Sequence, residues 1–368
     1  MASPLSCPAC GAEYAPGPDE PWRCSCGAPL ELAADPPPNS PQGRTVDPGE
    51  GLWTFEEWLP VRRRVSLGEG FTPLVSAGER WGEAVGFKLE YVFPTGSFKD
   101  RGATTTLSRA AELGVKRVIE DSSGNAGAAI ATYAARAGID AEIYVPAGVK
   151  ASKLSAIERA GARPVRVEGG RAAVTEACLE AVERGEGWYA SHAWNPAFYA
   201  GTSTFAFEIA AQRGWSVPDA VVCPVGHGTL LLGAYRGFRA LYNAGITDRL
   251  PRLLGVQSEA AAPIAEAIGG DERDQSADAT TVADGIRIEA PARHAEIVEA
   301  VEVTNGDAIA LDDGRIEAAL DRLHRGGFYV EPTSAVAPAA VERYRELGVV
   351  EPGADVVVPL TGSGLKGE

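Results

Sequence analysis

An α/β fold with parallel sheets is predicted by three features of this 368-residue chain. Strand-like and helix-like runs alternate along most of its length, several helical runs stop at a Gly, and no solenoid-type repeat intervenes. The strand-like runs are "GFKLEYV", "KRVIED", "AEIYVP", "RPVRVEG", "DAVVCPVG", "RLLGVQSE" and "ADVVVPLTG". Helical patterns lie between them, among them "NAGAAIATYAARAG", "ASKLSAIERAG", "AAVTEACLEAVERG" and "TLLLGAYRGFRALYNAG".

Taken in order, the chain opens on four of its six Cys. Cys7 and Cys10 form "CPAC", and Cys24 and Cys26 form "CSCG" thirteen residues later. Two close pairs across a short loop suit a tetrahedral zinc ion, although one residue between the second pair tightens that turn. Disulfides are the alternative, disfavoured in a reducing compartment. Residues 1–33 are therefore expected to form a zinc-ribbon-like module, too small to fold without a metal or a staple. A Pro-rich polar linker follows at 34–44, and 53–75 reads as an irregular wrap ending in a strand. Residues 34–85 are assigned to the linker and the first part of a large domain, 86–195 to a smaller sheet domain, and 196–368 to the rest of the large one. The polar stretch 269–280 reads as a surface loop. Cys178 and Cys223 sit in apolar surroundings and read as core thiols.

Composition removes several function classes. A net charge of −16 repels phosphate backbones, and residues 1–35 hold a single basic residue, Arg23, so nucleic acid is not expected as a partner. No apolar run is long enough to span a bilayer, and Met1 leads no signal-like segment, so the expected location is cytoplasmic. The acidic surplus with scarce Lys predicts a salt-adapted surface; a GC-rich genome would give the same bias. A homodimer is expected because two-fold dimers are the commonest assembly.

Four places depart from a plain α/β pattern, each just after a strand, where open parallel sheets bind ligands. "FPTGSFKDRGA" carries Lys99, one of six Lys among 34 basic residues. With Ser97 as helix cap, Lys99 falls in the first turn, where the helix dipole and Phe98 would lower its pKa and make it a nucleophile. The plainer role is an ion pair with Asp100 or Glu90. "EDSSGNAGAA" places Ser122, Ser123, Gly124 and Asn125 at a helix start, an anion pocket for a carboxylate, with Asn125 either capping the helix or facing a ligand. "VVCPVGHGTLLLG" runs a buried strand into Val225, Gly226, His227, Gly228, Thr229 and Leu230. Its Gly spacing fits neither G-x-G-x-x-G nor a P-loop, and a compact monophosphate suits it better. "VVVPLTGSGLK" ends a strand at Thr361, whose hydroxyl could meet a ligand nitrogen. His192, His227, His294 and His324 show no metal spacing, and only His227 lies in such a turn.

In order and wording these motifs resemble the fold type II pyridoxal-phosphate-dependent enzymes, and within them the threonine synthase family. "PTGSFKDRG", "SSGNAGAA" and "PLTGSGLK" carry the likeness, and "WRCSCGAPLEL" is similar to the cysteine-bearing N-terminus of some members. The resemblance implies two three-layer parallel-sheet domains and a bound pyridoxal 5′-phosphate. It makes Lys99 the Schiff-base residue and later the base for the α-proton, and Asn125 the partner of the cofactor's 3′ oxygen. The loop from Val225 to Leu230 would hold its phosphate and Thr361 its ring nitrogen. Thr95, Ser97, Ser122, Ser123 and Gly124 would line the substrate. The implied substrate is an amino acid, O-phospho-L-homoserine, converted with water to threonine and phosphate. Two departures are that "VGHGTL" stands where the family has "VGNGGN", and "AGTSTF" (200–205) where it often has "EGQKT". A related β-eliminating or β-replacing enzyme, a serine/threonine dehydratase or a cysteate-synthase-like protein, is the alternative. A silent binding protein is the alternative outside catalysis.

Overall fold

The structure, a computed structural model, describes residues 2–33, 46–269 and 280–366. The expected linker at 34–44 and most of the polar stretch 269–280 lie outside the described residues. At the N-terminus β1 (Leu5–Ser6), β2 (Glu13–Tyr14) and β3 (Glu31–Leu32) pair antiparallel in the order β2-β1-β3. The wrap contains a 3-10 helix over Pro48–Trp58, capped by the Asp47 carboxylate, and ends in β4 (Leu74–Ser76). β5 (Val85–Lys88) follows, and from there helices and strands alternate: α1 (Lys99–Leu113), β6 (Arg117–Glu120), α2 (Asn125–Ala137), β7 (Asp140–Pro146), α3 (Ala151–Arg159), β8 (Arg163–Val167), α4 (Arg171–Glu183) and β9 (Trp188–Tyr189). The second half runs α5 (Pro196–Gln212), β10 (Ala220–Pro224), α6 (Thr229–Asn243), β11 (Arg252–Ser258), α7 (Pro263–Gly269), α8 (His294–Val303), β12 (Asp307–Leu311), α9 (Asp313–Arg325), α10 (Pro332–Glu346) and β13 (Val356–Pro359).

Two sheets carry the architecture. A four-stranded sheet, β8-β7-β6-β9, is parallel throughout. A six-stranded sheet has the order β12-β11-β10-β13-β5-β4, with only β4 antiparallel. Both are covered on two faces, as the alternation of their side chains requires. In β10, Val221 and Cys223 point into a core with α5, α6 and α8, while Ala220 and Val222 point into another with α9 and α10. In β6, Val118 packs toward α1 and α2, and Ile119 toward α4. The strand in "GFKLEYV", expected to open the smaller domain, belongs instead to the larger sheet, where β5 pairs parallel with β13. The run stops after four residues and turns into a short 3-10 helix, Glu90–Val92. A strand's partner 271 residues away leaves no mark in local sequence.

α5 joins the two halves. Nearly all of it through Ala210 is buried, so it shows no single apolar face. It lies so close to α1 that a Cβ on Gly102 would meet the Phe198 ring at 2.2 Å, and one on Gly201 the Arg101 carbonyl at 1.9 Å. Behind this contact Arg101 donates to Glu90 and Glu208, with Lys88 on Glu208 at 2.7 Å, all four side chains fully buried. Arg101 and Lys88 hold the Glu208 carboxyl down to about 2 against the effect of burial.

Candidate active site

The four post-strand turns meet because their strands are neighbours. β10, β13 and β5 lie side by side and parallel, so the Val225 loop, Thr361 and the turn before α1 leave the sheet at one edge. The turns are tied together: Phe98 N donates to Thr361 O at 3.0 Å, Ser363 N to Gly96 O at 2.9 Å, and Ser97 pairs with Gly362. β6 of the other sheet brings Ser122–Asn125 to the same place, since the Asn125 amide donates to the Glu331 carboxylate at 2.9 and 3.1 Å.

Lys99 is the first residue of α1. Its Nζ lies 3.9 Å from the centre of the Phe98 ring. Burial holds its amine down to about 7, against Glu331 and Glu120, which favour the charge, and with Arg171 and Lys366, which oppose it. Neither ion-pair role considered for it is available. Glu90 is taken by Arg101, and Asp100 accepts from Thr95 N at 2.9 Å and from the Thr95 hydroxyl. Burial pushes the Asp100 carboxyl up to about 7. Ser97 is not the helix cap: Phe98 occupies that position, and the Ser97 hydroxyl is buried with no hydrogen-bond partner among the described residues. Nor does Asn125 cap α2, which Gly124 precedes without a side-chain cap; its amide is turned to Glu331 instead. Ser122 braces this turn by accepting from Gly124 N at 3.3 Å, and its carbonyl runs so close to α2 that a Cβ on Gly127 would lie 1.8 Å away. Ser123 is half-buried beside it.

The loop from Val225 to Leu230 turns through Gly228, at φ 71°, into α6. A Cβ on Gly228 would meet Ile297 at 2.4 Å, so both conformation and space demand glycine. His227 lies beside His192, ring centres 5.2 Å apart, and its Nε2 is 3.1 Å from the Arg171 guanidinium. Burial holds the His227 imidazole down to about 3. His192 Nδ1 is 2.7 Å from Glu120, whose carboxyl burial pushes well above its ordinary range. Thr361 is buried with its hydroxyl 3.1 Å from that of Ser334.

The sequence reading did not single out Glu331, Glu120, His192, Arg171 or Lys366. Glu331 had one legible mark, a Glu just before Pro332 at a helix start in "VEPTSAVA"; it precedes α10 in extended backbone. A Cβ on Gly362 would lie 2.2 Å from its carboxylate, which explains that glycine too.

Apart from this cleft, the sulfurs of Cys7, Cys10, Cys24 and Cys26 all lie within 4.8 Å of one another. The pairs Cys7–Cys26 and Cys10–Cys24 are 3.6 and 3.5 Å apart. Disulfide bonds would be about 2.05 Å, whereas four ligands at about 2.3 Å from a tetrahedral ion sit about 3.8 Å apart. Gly11 and Gly27, both at positive φ, close the two turns by donating to the Cys7 and Cys24 carbonyls at 2.9 and 2.8 Å.

Comparison with known proteins agrees with this geometry. The family model described as "Pyridoxal-phosphate dependent enzyme" matches residues 65–362. The threonine synthase of Methanosarcina acetivorans is 36% identical across 98% of this chain and 92% of its own length. That of Methanocaldococcus jannaschii is 34% identical across 94% and 88%. Among solved structures, processed threonine deaminase isoform 2 from Solanum lycopersicum superposes with a TM-score of 0.69 at 23% identity, over 91% of this chain and 95% of that one. A maize serine racemase gives the same TM-score at 22% identity, over 80% and 88%; both likenesses concern the fold. The chain belongs to the pyridoxal-phosphate-dependent enzymes and, within them, to the threonine synthase family.

Proposed function

We propose that the chain converts O-phospho-L-homoserine and water to L-threonine and inorganic phosphate, with pyridoxal 5′-phosphate held at Lys99. The observation that carries this reading is the convergence of four post-strand turns on Lys99 in a chain of the threonine synthase family, with burial lowering the lysine amine.

The residues present fit the cofactor. An Arg only donates, so His227 Nε2 accepts from Arg171, and the neutral ring keeps its hydrogen on Nδ1. That Nδ1 is buried and has no hydrogen-bond partner among the described residues. A phosphate oxygen would satisfy it together with the backbone N–H groups of Val225, Gly226, Gly228, Thr229 and Leu230. Thr361 would offer a neutral hydroxyl to the ring nitrogen, and Asn125 would share its amide between Glu331 and the 3′ oxygen. When bound, the cofactor supplies an electron sink for carbanions next to the amino group.

The chain's own residues supply the rest. Ser122, Ser123 and Gly124 would hold the substrate carboxylate, with Thr95 and Ser97 on the facing turn. Lys99 would take the Cα proton and deliver protons along the carbon chain as phosphate leaves Cγ and water adds its hydroxyl at Cβ. Release of threonine and phosphate in equal amounts from O-phospho-L-homoserine supports the assignment. Oxo acid from serine or threonine, with no threonine formed, sinks it.

The four Cys are proposed to hold structural zinc, which their sulfur spacing supports. The excess of acidic over basic residues supports a salt-adapted enzyme, with activity that rises in molar salt.

A further inference from the structure

We propose that Arg171 is the residue that selects a phosphorylated substrate, its guanidinium binding the γ-phosphate; the inference rests on the reaction proposed above. The departure at 200–205 motivates the search for such a group. That segment lies inside α5, with Gly201 against the α1 backbone and Thr204 on Arg101, so it offers the cleft no cation.

Arg171 stands in a different relation to the cleft. It is the first residue of α4, on the four-stranded sheet, and its side chain crosses to His227 on the six-stranded one. The residue is solvent-exposed, and besides touching His227 its charge bears on Lys99, Glu120 and His192. Its hydrogen-bond partner is a neutral imidazole, and no carboxylate pairs with it among the described residues. Of the other cations near the site, Arg101 is matched by Glu90 and Glu208, whereas the Lys366 amine, buried without a hydrogen-bond partner among the described residues, is held toward its neutral form by burial. An exposed guanidinium beside the cleft with no carboxylate partner is met best by an incoming dianion, which its planar fork can grip with two hydrogen bonds. On this account Arg171 leaves His227 for the phosphate when substrate enters.

The test uses the cofactor-loaded full chain and two unreactive amino acids, 2-amino-5-phosphonopentanoate and L-norvaline, which share a carbon chain and differ in the phosphonate. Binding is followed through the absorbance of the bound cofactor, and cofactor affinity is measured separately. In Arg171→Gln the phosphonate Kd is expected to rise about 100-fold, the norvaline Kd to stay within about threefold, and cofactor affinity to hold. KM for O-phospho-L-homoserine should rise with the phosphonate Kd, and Arg171→Lys should recover about tenfold of the loss. An unchanged phosphonate Kd, an equal loss for both amino acids, or loss of the cofactor itself each overturns the assignment. The two failures are separable. Wild-type protein that prefers the phosphonate yet makes no threonine sinks the reaction, whereas threonine formation untouched by Arg171→Gln sinks only the role of Arg171.

Discussion

At the scale of single residues, the run from Lys99 to Gly102 has a physical reason for each residue. The amine must lose a proton near neutrality, which a guanidinium cannot do, and burial brings it to about 7. Asp100 staples the Thr95 turn, Arg101 anchors the buried ion cluster, and Gly102 admits Phe198. Lys99→Ala should abolish the borohydride-fixable link to the cofactor and cut turnover at least about 10³-fold, read by peptide mass and product assay. Capture of cofactor by the apoprotein needs the neutral amine, so its rate should climb as pH rises through about 7 and level off above, in a stopped-flow titration. In Glu331→Gln the loss of a carboxylate that favours the charged amine should move this rise to lower pH. A rise left where it was would show that Glu331 does not act on Lys99. The Lys, the Gly-rich turn and Asn125 were legible in sequence because each is a residue type with one unusual chemical use. Glu331 was not, since its pairing with Asn125 spans 206 positions and a lone Glu before a helix reads as surface charge.

At the scale of elements, positions rest on close backbone contacts that only glycine permits. Gly102→Ala should force α1 away from α5, lowering stability by about 1–3 kcal/mol and shifting Lys99, measured as a lower Tm and a slower cofactor capture. A Tm equal to wild type would mean that the contact is looser than 2.2 Å to the Phe198 ring implies. The strand–helix alternation of the two sheets was readable from apolar runs and Gly stops, which are local. α5 escaped because a helix buried on almost every side has no polar stripe to set its period. The Ser97 cap was misread for a related reason, since its pairing with Gly362 comes from a distant part of the chain; of the two roles left open for Asn125, its turn toward Glu331 leaves the cap unused.

At the scale of the whole molecule, the N-terminal ribbon acts as a clamp across both halves. Glu20 pairs with Arg109 of α1, and Glu31 with Arg236 of α6 and Arg293, while Trp22 lies edge-on to Tyr189 and Trp194. Cys7 and Cys24 share a small core with Val61 and with Ala197 in the first turn of α5. Purified protein should therefore carry one zinc per chain by elemental analysis, and Cys7→Ser should lose the metal and lower Tm; full-length protein free of metal yet equally stable would contradict this. On the proposed function, the two sheets, the clamp and the buried ion cluster would hold Lys99 where an amino acid can displace it from the cofactor. The most direct test is to give O-phospho-L-homoserine to the loaded protein and count products. The account predicts threonine and phosphate in a one-to-one ratio, absent in Lys99→Ala; phosphate or oxo acid without threonine would contradict it.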